Sequence, residues 1–434
     1  MCDGNEFNEL WLGLPGFRVT AMTNDGDELL VGIETVRRAA GCPSCGVIAR
    51  TKDRLRVVIR DLPCFDRRVK LVWSKRRFSC PEPECPQRTW TEHSDELPDR
   101  HVLSARAGRE ATRAVGEEAR SVASLARWLG VAWSTVMEAV RHYGTPLVDD
   151  PDRVGDVTAL GIDETAFLAA NAEHATALVT GFVDLDAHVL IDMIEGNRAI
   201  DVSRWLSRKD KAFLEAIGTV ACDLHEGYRA GLRPHLDHAR QVADPFHVVA
   251  VANRCVDAVR RRVQNELLGH RGRKDDPLYK IRRVLLTGAE RLNHRGIDRM
   301  ALGLRFGDPH DEVLGAWLAK EYLRDVYLTE DEADAALLLD RVIAGCLADE
   351  VEEIVSLGNT LKRWRPQILA HHATGASNGP TEAMNLLVKK IKRCGHGFKS
   401  FRNYRLRVLL HCGGIKWKAH PARTMRARSP QLVA

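Results

Sequence analysis

Three short apolar runs in this chain each stop on an aspartate: "VTALGID" at Asp163, "TVACD" at Asp223 and "RQVAD" at Asp244. Runs of this length, each followed by a hairpin or a helical stretch, read as strands of an α/β sheet. In such sheets the carboxyl ends of strands are where ligands and catalytic groups gather. "ATALVTGFVDL" and "HVLIDMI" flank Asp186-Ala187 and predict a hairpin after the first run; Ile200–Ala216 and Glu226–Leu232 predict helices around the second. "PFHVVAVANRCVDAVRRRV" is helical, and residues 265–370 turn almost wholly helical, with stripes such as Val313, Trp317, Leu318 and Leu337, Val342, Ile343.

Ahead of this segment lie two cysteine pairs, Cys42-Pro-Ser-Cys45 and Cys80-Pro-Glu-Pro-Glu-Cys85. Each short loop can present two sulfurs from one turn, so four thiolates can close a tetrahedron around structural Zn²⁺ in a zinc ribbon. The competing reading is buried, unpaired cysteines, as expected of Cys64; His93 is a reserve ligand. Between the pairs, Val69, Leu71 and Trp73 alternate with polar residues as in a half-buried strand. The 11 cysteines are an odd number and no secretory leader is visible, which argues against a disulfide framework.

"SVASLARWLGVAWSTVMEAVRHYG" spaces Ala126, Gly130 and Val136 as in a helix-turn-helix, which would turn Ser134, Thr135 and Glu138 toward a DNA major groove; an ordinary helical hairpin has the same pattern. "TPLVDDPDRVGD" (Thr145 to Asp156) reads as a linker. At 434 residues the chain has room for two to four domains at roughly 150 residues each. The expected boundaries are 1–100 (zinc ribbon), 101–150 (helix-turn-helix), 151–264 and 371–434 (α/β core and basic tail), and 265–370 (helical insertion). No stretch approaches the ~18 uninterrupted apolar residues of a membrane helix, and a cytoplasmic address is expected.

Charge is distributed unevenly. The net charge is only +5, yet Glu382 is the last acidic residue and 13 Lys and Arg follow it; Arg50–Arg77 holds 11 Lys and Arg against Asp53, Asp61 and Asp66. Basic segments around an acidic middle suit a polyanionic partner such as nucleic acid, although solvated surface is the plainer account of either run alone. Carboxylates at neighbouring strand ends repel unless cations lie between them, and oxygen-only ligands suit two Mg²⁺ or Mn²⁺ ions in phosphoryl transfer. A third carboxylate would complete the cage, and Asp244 and Glu382 are the candidates. Pro380 suits the first position of a helix, which puts Glu382 in its first turn, where the helix dipole favours an anion. On that wheel Met384, Leu387, Val388 and Ile391 form the core face, while Asn385, Lys389, Lys392 and Arg393 share the face of Glu382. A solvated amphipathic helix, acid first and base last, would look the same.

The combination resembles the RNase H-like core of DDE transposases. "GIDE" at Gly161, "DLHEGYRAGL" at Asp223, "ADPFHVV" at Ala243 and "SNGPTEAMNLLVKKIKRCGHGF" at Ser377 are similar to motifs of the ISL-three family of bacterial insertion-sequence transposases, and "CPSCG" with "CPEPECPQRTWTE" to its amino-terminal zinc ribbon. The resemblance implies an RNase H-like mixed sheet flanked by helices, with an all-helical insertion between Asp223 and Glu382, which stand 159 positions apart. It also implies a cut-and-paste enzyme, dimeric on double-stranded DNA, that binds the inverted repeats of its own element and target DNA and holds two Mg²⁺ on Asp163, Asp223 and Glu382. Asp244 and His247 are expected behind those ligands or against DNA, and Trp317 and Trp364 in the helical core or against an unpaired base. A domesticated DNA-binding regulator and an RNase H-like nuclease without strand transfer are the alternatives.

Overall fold

The computed structural model describes residues 12–36, 39–172 and 175–417. The chain forms two compact units, Met1–Arg153 with Leu387–Ala434, and Val154–Leu386.

In the first unit, β1 (Phe17–Asp25), β2 (Glu28–Thr35), β3 (Arg50–Cys64) and β4 (Arg67–Ser79) form a sheet of order β1-β2-β4-β3, with β5 (Thr89–Thr91) added to β4. The alternation at Val69, Leu71 and Trp73 is realised: all three are buried with Val31, Ile33 and Ile59. Phe65 and Asp66 both have positive φ, as a two-residue hairpin turn between right-twisted strands requires. The sheet is larger than a bare ribbon because β2 pairs in parallel with β4 and β1 pairs with β2, extending the long β3–β4 hairpin at its β4 edge. Cys64 at the end of β3 is half-buried rather than a core residue.

Three helices follow, α1 (Ala105–Gly116), α2 (Val122–Leu129) and α3 (Trp133–Val148). Ser121 caps α2 by accepting the Ser124 N–H, and Gly130 ends it with φ 67°, the left-handed turn expected there. Ala126 and Val136 are buried, as a helix-turn-helix requires. The segment expected to be a linker starts as helix: α3 runs through Pro146 to Val148, since proline there costs only bonds near the helix end.

The second unit carries a mixed sheet of order β10-β9-β6-β7-β8. Its strands are β6 (Ala159–Leu168), β7 (Ala177–Asp184), β8 (Val189–Glu195), β9 (Thr219–Cys222) and β10 (Arg240–Ala243). β6, β7 and β8 form an antiparallel meander, while β9 and β10 join β6 in parallel. Helices α4 (Ala199–Leu206) and α5 (Lys211–Ala216) connect β8 to β9, and α6 (Glu226–Leu232) connects β9 to β10. This is the RNase H-like arrangement. β6 does not stop at Asp163, as its apolar run suggests, but continues five residues because β7 goes on pairing with it after β9 has ended.

After β10 the chain is helical: α7 (Pro245–Leu268), α8 (Pro277–Ile281), α9 (His294–Gly307), α10 (Glu312–Leu328), α11 (Glu332–Leu347) and α12 (Glu352–Thr374) share a second core. Val313 belongs to it, but Leu337 is exposed and Leu339 takes the inward position of α11. Trp364 lies in this core and Trp317 at its edge. α13 (Gly379–Cys394) begins in this unit and α14 (Phe401–Cys412) belongs to the first. Met384, Val388 and Ile391 of α13 are buried as the wheel predicts, whereas Leu387 is largely exposed. No described helix is long and apolar enough to cross a membrane.

Candidate active site and metal centre

The parallel ladder ends in register: Ile162 pairs with Cys222, and Cys222 with Ala243. Asp163, Asp223 and Asp244 are the next residues, so three aspartates stand in one rank across adjacent strands, which are about 4.8 Å apart. Their surroundings then separate them. Asp244 is buried and fully engaged; one oxygen accepts the Asn378 N–H at 2.8 Å, and the other accepts the His247 N–H at 3.3 Å as the N-cap of α7. Asp223 meets His247 Nδ1 at 3.0 Å through Oδ2, while its buried Oδ1 has no hydrogen-bond partner. Asp163 accepts the Glu164 N–H at 2.7 Å and the Asn385 side-chain N–H. Burial first, and then the charge of Asp223, push its carboxyl up to about 6.

Glu382 reaches this rank from the first turn of α13. Asn378 fastens that turn: its side chain donates to Ile162 O at 3.2 Å, and its carbonyl accepts the Glu382 N–H at 2.9 Å. The approach depends on Gly161, where a Cβ would lie 2.1 Å from Thr381 Oγ1 and 2.6 Å from Leu185 Cδ2. His247 then lies between two carboxylates, its Nε2 3.6 Å from Glu382 Oε1. The Asp223 hydrogen bond, partly opposed by burial, raises the pKa of His247.

Two groupings could hold a cation. Asp244, His247 and Glu382 have ligand atoms within 4.8 Å of one another, but both Asp244 oxygens are spent on backbone N–H groups. Asp163, Asp223 and Glu382 offer only oxygens, one of them buried and unpartnered, and hard divalent cations prefer oxygen to imidazole. The second set has the donor chemistry such an ion prefers, but among the described residues only the first is drawn together within 4.8 Å; His247 touches Asp223 and Glu382.

Cys42, Cys45, Cys80 and Cys85 of the first unit form a closed site. Cys42 and Cys85 sulfurs are 3.7 Å apart, Cys45 and Cys80 sulfurs 3.5 Å, and all four lie within 4.8 Å of one another. A tetrahedron with Zn–S bonds of about 2.3 Å has edges of about 3.8 Å, so the spacing matches. Burial and the neighbouring sulfurs push the Cys80 thiol up to about 12, while at Cys42 burial is outweighed by the Cys45 and Ser44 backbone, which lowers that thiol to about 7. His93 faces Asp95 and Asp99 instead and is no part of the cluster.

Of the residues expected against DNA, Ser134 and Glu138 are exposed and Thr135 half-buried on α3; Lys389 and Arg393 are exposed and Lys392 half-buried on α13. Asn385 is held by Asp163 and faces the carboxylates. Sequence reasoning missed Asn378, Thr381 and Gly161 as the fittings that seat Glu382. Their signal was a Gly beside one aspartate and a polar "SNGPT" run before the glutamate.

Residues 160–408 match the family model of the DDE domain of ISL3 transposases, described as a transposase. Residues 38–93 match the zinc-finger of the transposases of IS204, IS1001, IS1096 and IS1165. The chain is 24% identical over 408 residues to the transposase for insertion sequence element IS1001 of Bordetella parapertussis, covering 92% of this chain and 95% of that protein. It is 26% identical over 290 residues to the transposase for insertion sequence element IS1557 of Mycobacterium tuberculosis, covering 62% and 63% of the two chains. The family match spans Asp163, Asp223 and Glu382 and more than half of the chain. With its four-cysteine ribbon and RNase H-like sheet, the chain belongs to the ISL-three family of insertion-sequence transposases.

Proposed function

We propose that this transposase binds the inverted-repeat ends of its own insertion sequence and moves the element by cut-and-paste chemistry at Asp163, Asp223 and Glu382. The observation that carries the reading is the convergence of two carboxylates from one rank of the sheet with a third from the α13 N-terminus, joined through His247. These three residues would hold two Mg²⁺ or Mn²⁺ ions, which supply a nucleophile at neutral pH and neutralise charge on the scissile phosphate. The protein's own contribution is placement. Asn385 and the Glu164 N–H fix the Asp163 carboxylate, His247 fixes Asp223, and Asp244 with Asn378 fixes the turn that carries Glu382. Strand cleavage would be followed by attack of the freed 3′-OH on target DNA. The helix-turn-helix, through Ser134 and Thr135, and the cations Lys389, Lys392 and Arg393 would hold the duplex, with two protomers joining two ends.

Labelled end DNA incubated with wild-type protein and Mg²⁺ is expected to be nicked at the repeat boundary. Glu382→Gln should bind the same DNA and lose at least about a hundredfold in cleavage, the scale of removing one charge-stabilising group. Cleavage at the wild-type rate by this variant would remove Glu382 from the site.

A further inference from the structure

The first unit contains a buried cation that has no carboxylate partner among the described residues. Arg407, in the middle of α14, is 3% exposed, and its Nε and Nη2 have no hydrogen-bond partner. It borders a cavity of about 310 Å³ lined by Ser121, Trp133, Phe398, Lys399 and Asn403, among others, and, among the described residues, by no Asp or Glu. Burial pulls the guanidinium below its usual pKa. A buried charge without a counter-charge is among the most costly features a fold can carry, and among the described residues none is supplied to Arg407.

The surroundings favour an anion. The N-terminus of α2 opens on the cavity at Ser121, Val122 and Ala123, and first-turn N–H groups attract negative charge. Lys399 is an exposed second cation on the rim. The turn before it is built for close approach: His396 and Gly397 have φ 53° and 92°, and a Cβ on Gly395 would lie 2.4 Å from the Phe398 ring and 3.2 Å from Arg407 Nη1. Phe398 sits over the guanidinium, 5.0 Å from ring centre to Cζ, and screens it from water. The "GHGFK" segment thus forms one wall of a pocket that also receives the start of both helix-turn-helix helices.

We propose that this cavity is a phosphate seat, in which Arg407, Lys399 and the N-terminus of α2 take one backbone phosphate of the DNA duplex. The assignment rests on the DNA-binding reading above, but it concerns a site in the first unit and a binding step, and it is testable without catalysis. A helix-turn-helix whose first helix crosses the backbone would meet a phosphate at this end of α2.

Zinc-loaded full-length protein is melted in chloride and in inorganic phosphate of equal ionic strength, and its binding to end DNA is titrated against salt. Wild type should melt higher in phosphate, and Arg407→Met should show no such gain. In chloride Arg407→Met should melt at least as high as wild type, because it removes an unpaired charge. On DNA it should bind about tenfold more weakly, with a salt slope lower by about one, and Lys399→Gln should lower the slope without burying or exposing anything. Equal stabilisation of both proteins by phosphate, an unchanged slope in Lys399→Gln, or a lower melting point of Arg407→Met in chloride would each overturn the proposal. Stabilisation by free phosphate with an unchanged DNA slope would assign the seat to a small anion and overturn the DNA role. Loss of cleavage alone, with these binding results intact, would instead count against the catalytic reading.

Discussion

Asp163 and Asp244 stand in the same rank of the sheet with different fates, because burial and partners decide what a carboxylate can do. Asp244 has both oxygens engaged by backbone N–H groups, whereas Asp163 is held up at about 6 by burial and by Asp223. The unfolded chain releases that proton at lower pH, so the folded state is penalised as pH rises from about 4 through 6, and fully above it. In chelator, Asp163→Asn should therefore melt higher than wild type at pH 8, by about 1–2 kcal/mol after allowance for partial exposure, and show no advantage at pH 4. Thermal unfolding at the two pH values checks this. Gly161 gives a second prediction. A methyl group there would drive Thr381 and the head of α13 away from β6, costing about 1–3 kcal/mol and about a hundredfold in cleavage. Removing the obstructing Oγ1 in Gly161→Ala/Thr381→Ala should recover part of both losses, which a double-mutant cycle measures.

Elements explain why the charge pattern was only half informative. The basic run Arg50–Arg77 is the β3–β4 hairpin, and Arg54, Arg60, Lys70, Lys75, Arg76 and Arg77 are paired with carboxylates. Linear charge counts cannot see such pairing, since Glu28, Glu34, Glu92 and Asp99 come from outside the run. The Cys loops were legible because their ligands are close in sequence. Metal analysis of protein purified without chelator should find one zinc per chain, and Cys42→Ser should lose it together with protection of β4 and β5 amides, as read by hydrogen exchange. Amides of β6–β10, in the other unit, should keep their protection.

At the scale of the whole molecule, each transposition event needs two element ends, so the protein is expected to be a dimer when bound to end DNA; light scattering of the complex checks the mass. The architecture was readable far beyond the site details: two cysteine pairs, five short sheet strands and a long helical stretch are local patterns with a period, and periodicity survives whatever the tertiary contacts do. Asp163, Asp223 and Glu382 could be picked out as candidates because the first two close short apolar runs and the third opens a basic amphipathic stretch. What could not be read was the extent of β6, which β7 prolongs past Asp163, or which of Leu337 and Leu339 faces inward on α11. The sequence by itself determined the elements, the thiolate pairs and the candidate carboxylates, because those depend on neighbours a few residues apart. Only the tertiary structure decided that Asp244 is a fastener, that His247 joins Asp223 to Glu382, and that Arg407 is buried with no carboxylate partner among the described residues. Those outcomes depend on groups more than a hundred residues apart, or on the absence of a partner, and neither leaves a period in the sequence.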